Sequence, residues 1–392
     1  MPWKECSVVS ERAEFVALAL APGVNFRGLC HRFGISHTTG YKWCTRAREQ
    51  GLGGLENVSR RPHRSPNRCD DGIERMVLEI WREYPKWGGR KLRRRLHDLG
   101  KTDVPAASTI TQILRRNGCV SPDESARTAT RRFEHPEPND LWQMDFKGEV
   151  RVRRGWCYPL TVLDDHSRFA LGLEACPGPI LEPTQAALTK VFRRYGLPHR
   201  MTMDNGSPWG SVMHGRAFHT RFAAWLMQLG IIVSHSRPRH PQTQGKDERF
   251  HRTLKLEVLG GRTWTSLPQC QREFDRWRDV YNTERPHEAL HLDVPASHYT
   301  LSPRPMPDEL PSIEYASDYE VRKVQQRGQL WFKHRRFWIG RAFVDKHVGI
   351  RPTTEDGLYE VYFCRQRIGQ HDLREGGRQW PTPGVNHVSE HL

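Results

Sequence analysis

The chain has 392 residues, room for two to four folded units, with 36% hydrophobic and 27% charged residues, the proportions of an ordinary globular protein. No apolar stretch reaches the roughly 18 residues of a membrane span, and the start lacks the basic, apolar and small-residue progression of a signal peptide. A protein with no membrane partner, cytoplasmic and associated with the nucleoid, is expected. Lys and Arg number 61 against 45 Asp and Glu, a formal charge of +16 that favours a polyanionic partner. Residues 1–138 hold 25 basic and 16 acidic residues, which makes this part the first place to seek such contacts.

Nine cysteines are scattered singly, without CxxC pairs, and read as reduced thiols rather than a disulfide framework. Cys30, His31, His37 and Cys44 offer a zinc set on paper, but the same positions suit a helix-turn-helix better. There, residues 11–20 read as a helix and 25–49 as helix, tight turn and helix. Gly34 supplies the turn, Ser36 caps the following helix, and Leu29, Phe33, Ile35 and Tyr41 supply apolar contacts. The outer face of the second helix carries His37, Thr38, Lys42 and Arg46, positioned to meet base edges or phosphates in a major groove. We delimit this DNA-binding domain at 1–58.

A basic linker, 59–69, follows, in which proline keeps the chain extended and Arg60, Arg61 and Arg64 suit a minor groove. Three further helical stretches (73–85, 87–100 and 107–120) form a second helix-turn-helix domain at 70–122. Its run Lys91, Arg93, Arg94 and Arg95 reads equally well as a DNA contact or a solvated face. After a linker at 123–138 the pattern changes to strands alternating with helices. WQMDFKGEV, WCYPLTVLDD and RFALGLEA read as strands, 182–195 as a helix, HRMTMD as a buried strand and 217–230 as a helix. IIVSHSRP is again a strand, and GKDERFHRTLKLEVL and 266–282 are helices. This gives an α/β core with a mixed sheet at 139–300. A Pro-rich linker at 301–316 leads to short strands at 317–376, expected to form a small β-barrel, before a tail at 377–392.

Phosphoryl transfer on DNA calls for two divalent cations about 4 Å apart, held by carboxylates. Asp145 lies within the first strand, Asp204 ends a later one, and Glu248 begins a helix, so the three can converge on one rim. Asp247 is the rival third acid. Residues one apart on a helix diverge by about 100°, whereas Glu248 and Lys255, seven apart, share a face, so placing Glu248 on the metal puts Lys255 on the DNA; the choice between the two acids rests on family resemblance. Asp164 and Asp165, before His166, Ser167 and Arg168, fit a strand-ending turn. Gln242, Thr243, Gln244 and Lys246 are placed to meet DNA near the cut, and Asn205 and Ser207 to orient Asp204 or form a turn. Arg285 and His287 read as packing beneath the site.

WQMDF, VLDDHSR, MDNGSP, HPQTQGKDERFHRTLKLE, YNTERPHEAL and VPASHY together resemble bacterial insertion-sequence transposases of the DDE, integrase-like type. The motifs span roughly 140–300, and the flanking modules extend the likeness over most of the chain. The resemblance implies a ribonuclease-H-like core in which Asp145, Asp204 and Glu248 bind two Mg2+ ions, replaceable by Mn2+. It also implies cleavage at the terminal inverted repeats of an element and joining of the 3′ hydroxyl ends to target DNA, both double-stranded, by a homodimer or larger assembly. The 43 residues between Asp204 and Glu248 exceed the usual spacing and suggest an inserted loop at 205–217. A DNA-binding regulator with a silent catalytic core is the alternative reading.

Overall fold

The computed structural model describes residues 8–57, 69–120, 134–213, 216–235 and 245–374. The chain divides into two units, Met1–Arg68 and Cys69–Leu392. Arg60, Arg61, Arg64 and Gln244, and the loop 240–244, lie outside the described residues.

The first unit packs three helices, α1 (Val8–Ala19), α2 (Phe26–Arg32) and α3 (His37–Gln50), around Phe15, Leu29, Cys30, Trp43 and Leu55. Gly34 adopts φ +63°, and the Ser36 hydroxyl accepts the Thr39 N–H at 3.2 Å, which together turn the chain and start α3. Gly40 is buried so closely against α2 that a Cβ would lie 2.8 Å from the Cys30 sulfur. Tyr41 stacks on Phe26 at 4.4 Å yet remains exposed. Cys30 and Cys44 lie in the core, whereas His31 and His37 face solvent.

In the second unit, α4 (Asp71–Glu83), α5 (Gly89–Asp98) and α6 (Ala107–Arg116) enclose Val77, Leu92, Leu96, Ile110 and Leu114. Part of the basic run on α5 is taken up within the protein, while Arg93 stays exposed. Arg95 meets Glu284 at 2.6 Å and Arg94 meets Asp293 at 2.9 Å, while the Tyr84 hydroxyl donates to Glu284. These bonds fasten the helical module to the segment after residue 283.

The main sheet contains β1 (Leu141–Phe146), β2 (Val150–Arg151), β3 (Trp156–Asp164), β4 (Ala170–Cys176), β5 (Arg200–Met203) and β8 (Ile232–His235). β3 pairs antiparallel with β1, β2 and β4, whereas β1, β5 and β8 run parallel, so the sheet is mixed. Alternation along β1 explains its two-sided burial. Trp142 and Met144 join the core under α7 (Leu181–Tyr195) and α8 (Arg221–Gln228). Gln143 and Asp145 therefore face the opposite side, where α9 (Gly245–Leu254) and α10 (Leu267–Thr283) cover the sheet with Phe250, Leu254, Phe274 and Trp277. Beyond α9 the helix widens into one π turn, Lys255–Leu259.

The segment read as an inserted loop folds in part as a hairpin, β6 (Gly210–Met213) with β7 (Arg216–His219), ahead of α8. After the Pro-rich stretch, β9 (Glu320–Lys323), β12 (His347–Pro352), β13 (Leu358–Phe363) and β14 (Gln366–Asp372) make an open antiparallel sheet in the order β14-β13-β12-β9. β10 (Gln329–Phe332) and β11 (Arg335–Trp338) form a separate hairpin, so the expected barrel does not close among the described residues. Gln366 grips β8 through both backbone groups of Val233, at 2.9 and 2.7 Å, and occupies hydrogen-bonding positions that an edge strand leaves open. No helix among the described residues is long and apolar enough to cross a membrane.

Candidate active site

Parallel pairing brings the first two acids level. Leu141, Trp142 and Gln143 lie opposite Arg200, Met201 and Thr202, so the same register carried onward sets Asp145 opposite Asp204. Neighbouring strands lie about 4.8 Å apart, close enough for two carboxylates to feel each other strongly. Glu248 enters from the first turn of α9, which packs over β1.

The electrostatics report this convergence. The Asp145 carboxyl is pushed up to about 7, first by burial, then by the charge of Asp204; Glu248 adds to the rise, while the Phe146 N–H and Lys147 oppose it. Three acids from three elements therefore act on one another with only partial compensation. Among the described residues they are not drawn to full ligand spacing.

Asp204 is oriented by the turn that follows it. Its Oδ1 accepts the Gly206 N–H at 2.9 Å and the Trp209 indole N–H. A Cβ on Gly206 would stand only 3.0 Å from that carboxylate, so any larger residue there would push the Asp204 side chain aside. Trp209 is itself held by stacking on Phe146 at 5.0 Å. The His235 ring donates Nδ1–H to the Asp204 carbonyl at 2.8 Å. Ser207 instead donates to the Pro179 carbonyl at 3.3 Å. Sequence reading missed Trp209, whose five-residue separation from Asp204 carries no motif and becomes meaningful only once the turn folds back.

His251, one turn after Glu248, is a second unforeseen neighbour. Thr161 gives its single hydroxyl proton to the Asp145 carbonyl at 2.9 Å, so the 2.8 Å contact from His251 must come from a protonated Nε2. Burial, helped by Lys147, holds the ring neutral by lowering its value to about 3. The unprotonated Nδ1 is left 3.9 Å from Asp145 Oδ2. Lone pairs on both sides of this gap suit a proton or a cation. The carboxylate oxygens suit a hard divalent ion, and the imidazole nitrogen is a softer donor beside them.

On α9, Asp247 is buried and Glu248 exposed. Neither Asp247 oxygen has a hydrogen-bond partner among the described residues. Burial, then Asp145 and Asp165, raise its carboxyl well above the ordinary value. Lys246 directs its ammonium at Asp165, 2.5 Å from Oδ2, and is only slightly exposed, so it is engaged within the protein. Arg249 and Arg252 remain exposed on α9, and so does Lys255 at the start of the π turn. Arg285 is buried in an ion pair with Glu257 of the π turn at 3.0 Å, and His287 is buried nearby against Tyr281.

On the first unit, His37, Thr38 and Lys42 are exposed along α3 and Arg46 is half-buried. Lys42 and Arg46 lie 5.3 Å from the Trp43 ring centre, and Arg12 lies 3.9 Å from it, a cationic cluster around one indole.

Residues 135–241 and 229–295 match the integrase core domain, and residues 319–379 match the C-terminal domain of IS481 family transposases. Residues 11–63 match a helix-turn-helix domain and 39–114 a homeodomain-like domain. An uncharacterized insertion element IS476 protein of Xanthomonas euvesicatoria is 27% identical over 254 residues, covering 62% of this chain and 69% of that protein. An insertion element IS407 protein of Burkholderia multivorans is 27% identical over 161 residues, covering 41% and 54%. The HTLV-2 integrase catalytic core domain in complex with magnesium overlaps 42% of this chain and 99% of that one at 14% identity, with a TM-score of 0.31, too loose a superposition to bear on function. Helix-turn-helix, integrase core and IS481-type C-terminal matches thus succeed one another along the sequence, and the chain is similar in these parts to bacterial insertion-sequence transposases of the integrase-like type.

Proposed function

We propose that the chain is a DDE transposase that cleaves double-stranded DNA at the ends of an insertion sequence and joins the resulting 3′ hydroxyls to target DNA. The observation that carries this reading is the convergence of three carboxylates presented by β1, the end of β5 and α9, where Asp145 is raised first by burial and then by Asp204 and Glu248. Asp145, Asp204 and Glu248 would hold two Mg2+ ions, or Mn2+ in their place. Bound there, the ions would activate the attacking oxygen and stabilise the leaving one in an in-line displacement.

The protein's own groups prepare that site. Trp209 and the Gly206 N–H fix the Asp204 carboxylate, and Thr161 ties His251 to the β1 backbone beside Asp145. Exposed Arg249 and Arg252 on α9, with Lys255 at the start of the π turn, would hold phosphates flanking the reacting one. His37, Thr38, Lys42 and Arg46 on α3 would read the terminal repeats. Two ends must react together, so the active form is a homodimer or larger assembly. We read the C-terminal strands as an incompletely closed barrel that supports the core through Gln366.

The test is cleavage and strand transfer on duplexes carrying the sequences that flank the coding region. Asp145→Asn, Asp204→Asn and Glu248→Gln each reduce both reactions to background while duplex binding stays near the wild-type level. Full strand transfer by any of them overturns the assignment. Wild-type binding without nicking in Mg2+ selects the silent regulator instead.

A further inference from the structure

A basic and aromatic hairpin lies away from the acids and has no role in the site described above. β2 and β3 are joined through Val152–Gly155, with Arg151, Arg153, Arg154 and Trp156 all exposed. Arg151 lays its guanidinium 4.9 Å from the Trp156 ring centre, and 42% of the tryptophan is exposed. Among the described residues, no ion pair engages Arg153 or Arg154.

This tip is not a loose loop. Val152 is buried, the Arg153 N–H donates to the Trp264 carbonyl at 2.9 Å, and Gly155 takes φ +99° to close the turn. Between the tip and the start of α10 is an open cleft of about 700 Å3, lined by Arg153, Arg154, Trp156, Pro177 and Leu267. Ser266 caps α10 there by accepting the Gln269 N–H, so the positive end of a long helix opens on the same cleft.

Register fixes where the hairpin stands relative to the acids. Thr161 of β3 pairs with Asp145, and Trp156 precedes it by five residues, beyond the end of β1. At about 3.3 Å per residue the separation is roughly 17 Å, near five base steps of about 3.4 Å. Five is an odd number, so Trp156 and Arg151 spring from the sheet face opposite Asp145, while Arg153 and Arg154 stand in the turn itself. Uncompensated arginines, a flat exposed ring and this distance along the strand complement the same occupant.

We propose that this hairpin and cleft form a second holding site for duplex DNA, about five base pairs from the reacting phosphate, with Arg153 and Arg154 on backbone phosphates and Trp156 against the sugar–base surface. The proposal rests on the DNA-processing reading above and assigns a new part of the chain to it.

The test uses the full chain, a duplex bearing the end sequence it cleaves, and hydroxyl-radical footprinting with Mg2+. Arg153→Glu with Arg154→Glu is expected to weaken duplex binding roughly tenfold, to lower the salt slope by about two, and to erase protection centred about five base pairs from the cut. Arg153→Lys with Arg154→Lys restores the salt slope, and Trp156→Ala weakens binding roughly threefold without altering that slope. An unchanged melting temperature for each variant shows that the fold persists. If the wild type cuts but the double glutamate variant keeps affinity, slope and footprint, this inference alone falls. A wild-type chain that leaves the duplex unbound overturns the functional reading as well.

Discussion

Two sets of carboxylates lie within one sheet and meet opposite fates. Asp164 accepts the Asn139 N–H at 2.8 Å, the Ser167 N–H at 2.7 Å and the Ser167 hydroxyl at 2.6 Å. Its neighbour Asp165 accepts the His135 N–H, the Gln143 amide and the Lys246 ammonium. Both are fully buried, and their charge or polarity is answered by fixed protein donors. Among the described residues, Asp145 accepts only the adjacent Phe146 N–H at 2.8 Å, faces Asp204 and Glu248, and lies near Asp247, which has no hydrogen-bond partner there. Acids that hold a fold together are saturated by it; acids left under-compensated are free to take a ligand.

Substitution should separate the two sets sharply, beginning with stability. Asp164→Ala strands several buried donors, each costing about 1–3 kcal/mol, so a loss of about 3 kcal/mol or more is expected in urea unfolding. Asp145→Asn, by contrast, leaves stability equal to or above wild type in metal-free buffer, because it removes a repelled charge. An Asp145→Asn chain as destabilised as Asp164→Ala would erase the distinction.

The next largest effect is on pH dependence. Asp145 has a folded-state value near 7 against an ordinary 3.8, so the folded chain retains a proton that the unfolded chain has released. Its contribution favours the fold fully below about 4 and is lost as pH rises through about 7. The difference in melting temperature between Asp145→Asn and wild type should therefore widen in favour of the variant from pH 5 to pH 8. Mg2+ should raise the wild-type midpoint more at pH 8 than at pH 5, since it stabilises the ionised carboxylates. A metal-independent midpoint at both pH values would count against a cation at this site.

Much of this was legible in the sequence because periodicity and caps speak locally. WQMDFKGEV and WCYPLTVLDD read as strands where β1 and β3 lie, 182–195 and 266–282 read as helices where α7 and α10 lie, and Gly34 with Ser36 marked the turn into α3. What escaped depends on contacts distant in sequence or on choices among neighbours. Arg94 and Arg95 looked equally like DNA contacts until Glu284 and Asp293, nearly 200 positions away, took them up. Lys246 has the composition of a phosphate contact, but Asp165 lies within 2.5 Å of it. The barrel expectation rested on strand count, whereas closure depends on pairings that strand count does not specify. Trp209 became visible only when a turn returned it to Asp204.

Asp247 supplies the smallest predicted effect and the finest test of the comparison. It is a carboxyl with 1% exposure, without partners among the described residues, one position from the acid assigned to the metal. Helical phase distinguishes the two directions but does not show which one the sheet covers. The structure buries Asp247 over β1 and turns Glu248 outward. If Asp247 serves only as an unsatisfied acid in an apolar interface, Asp247→Val replaces a poorly solvated group with one that packs, and stability at neutral pH rises by about 1–2 kcal/mol. Its pH profile should flatten in the same direction as that of Asp145→Asn, because the folded-state value of Asp247 is also raised. Cleavage should persist in Asp247→Val, whereas Glu248→Gln removes it. A Val variant that loses Mg2+-dependent stabilisation together with cleavage would move Asp247 from the interface into the metal site.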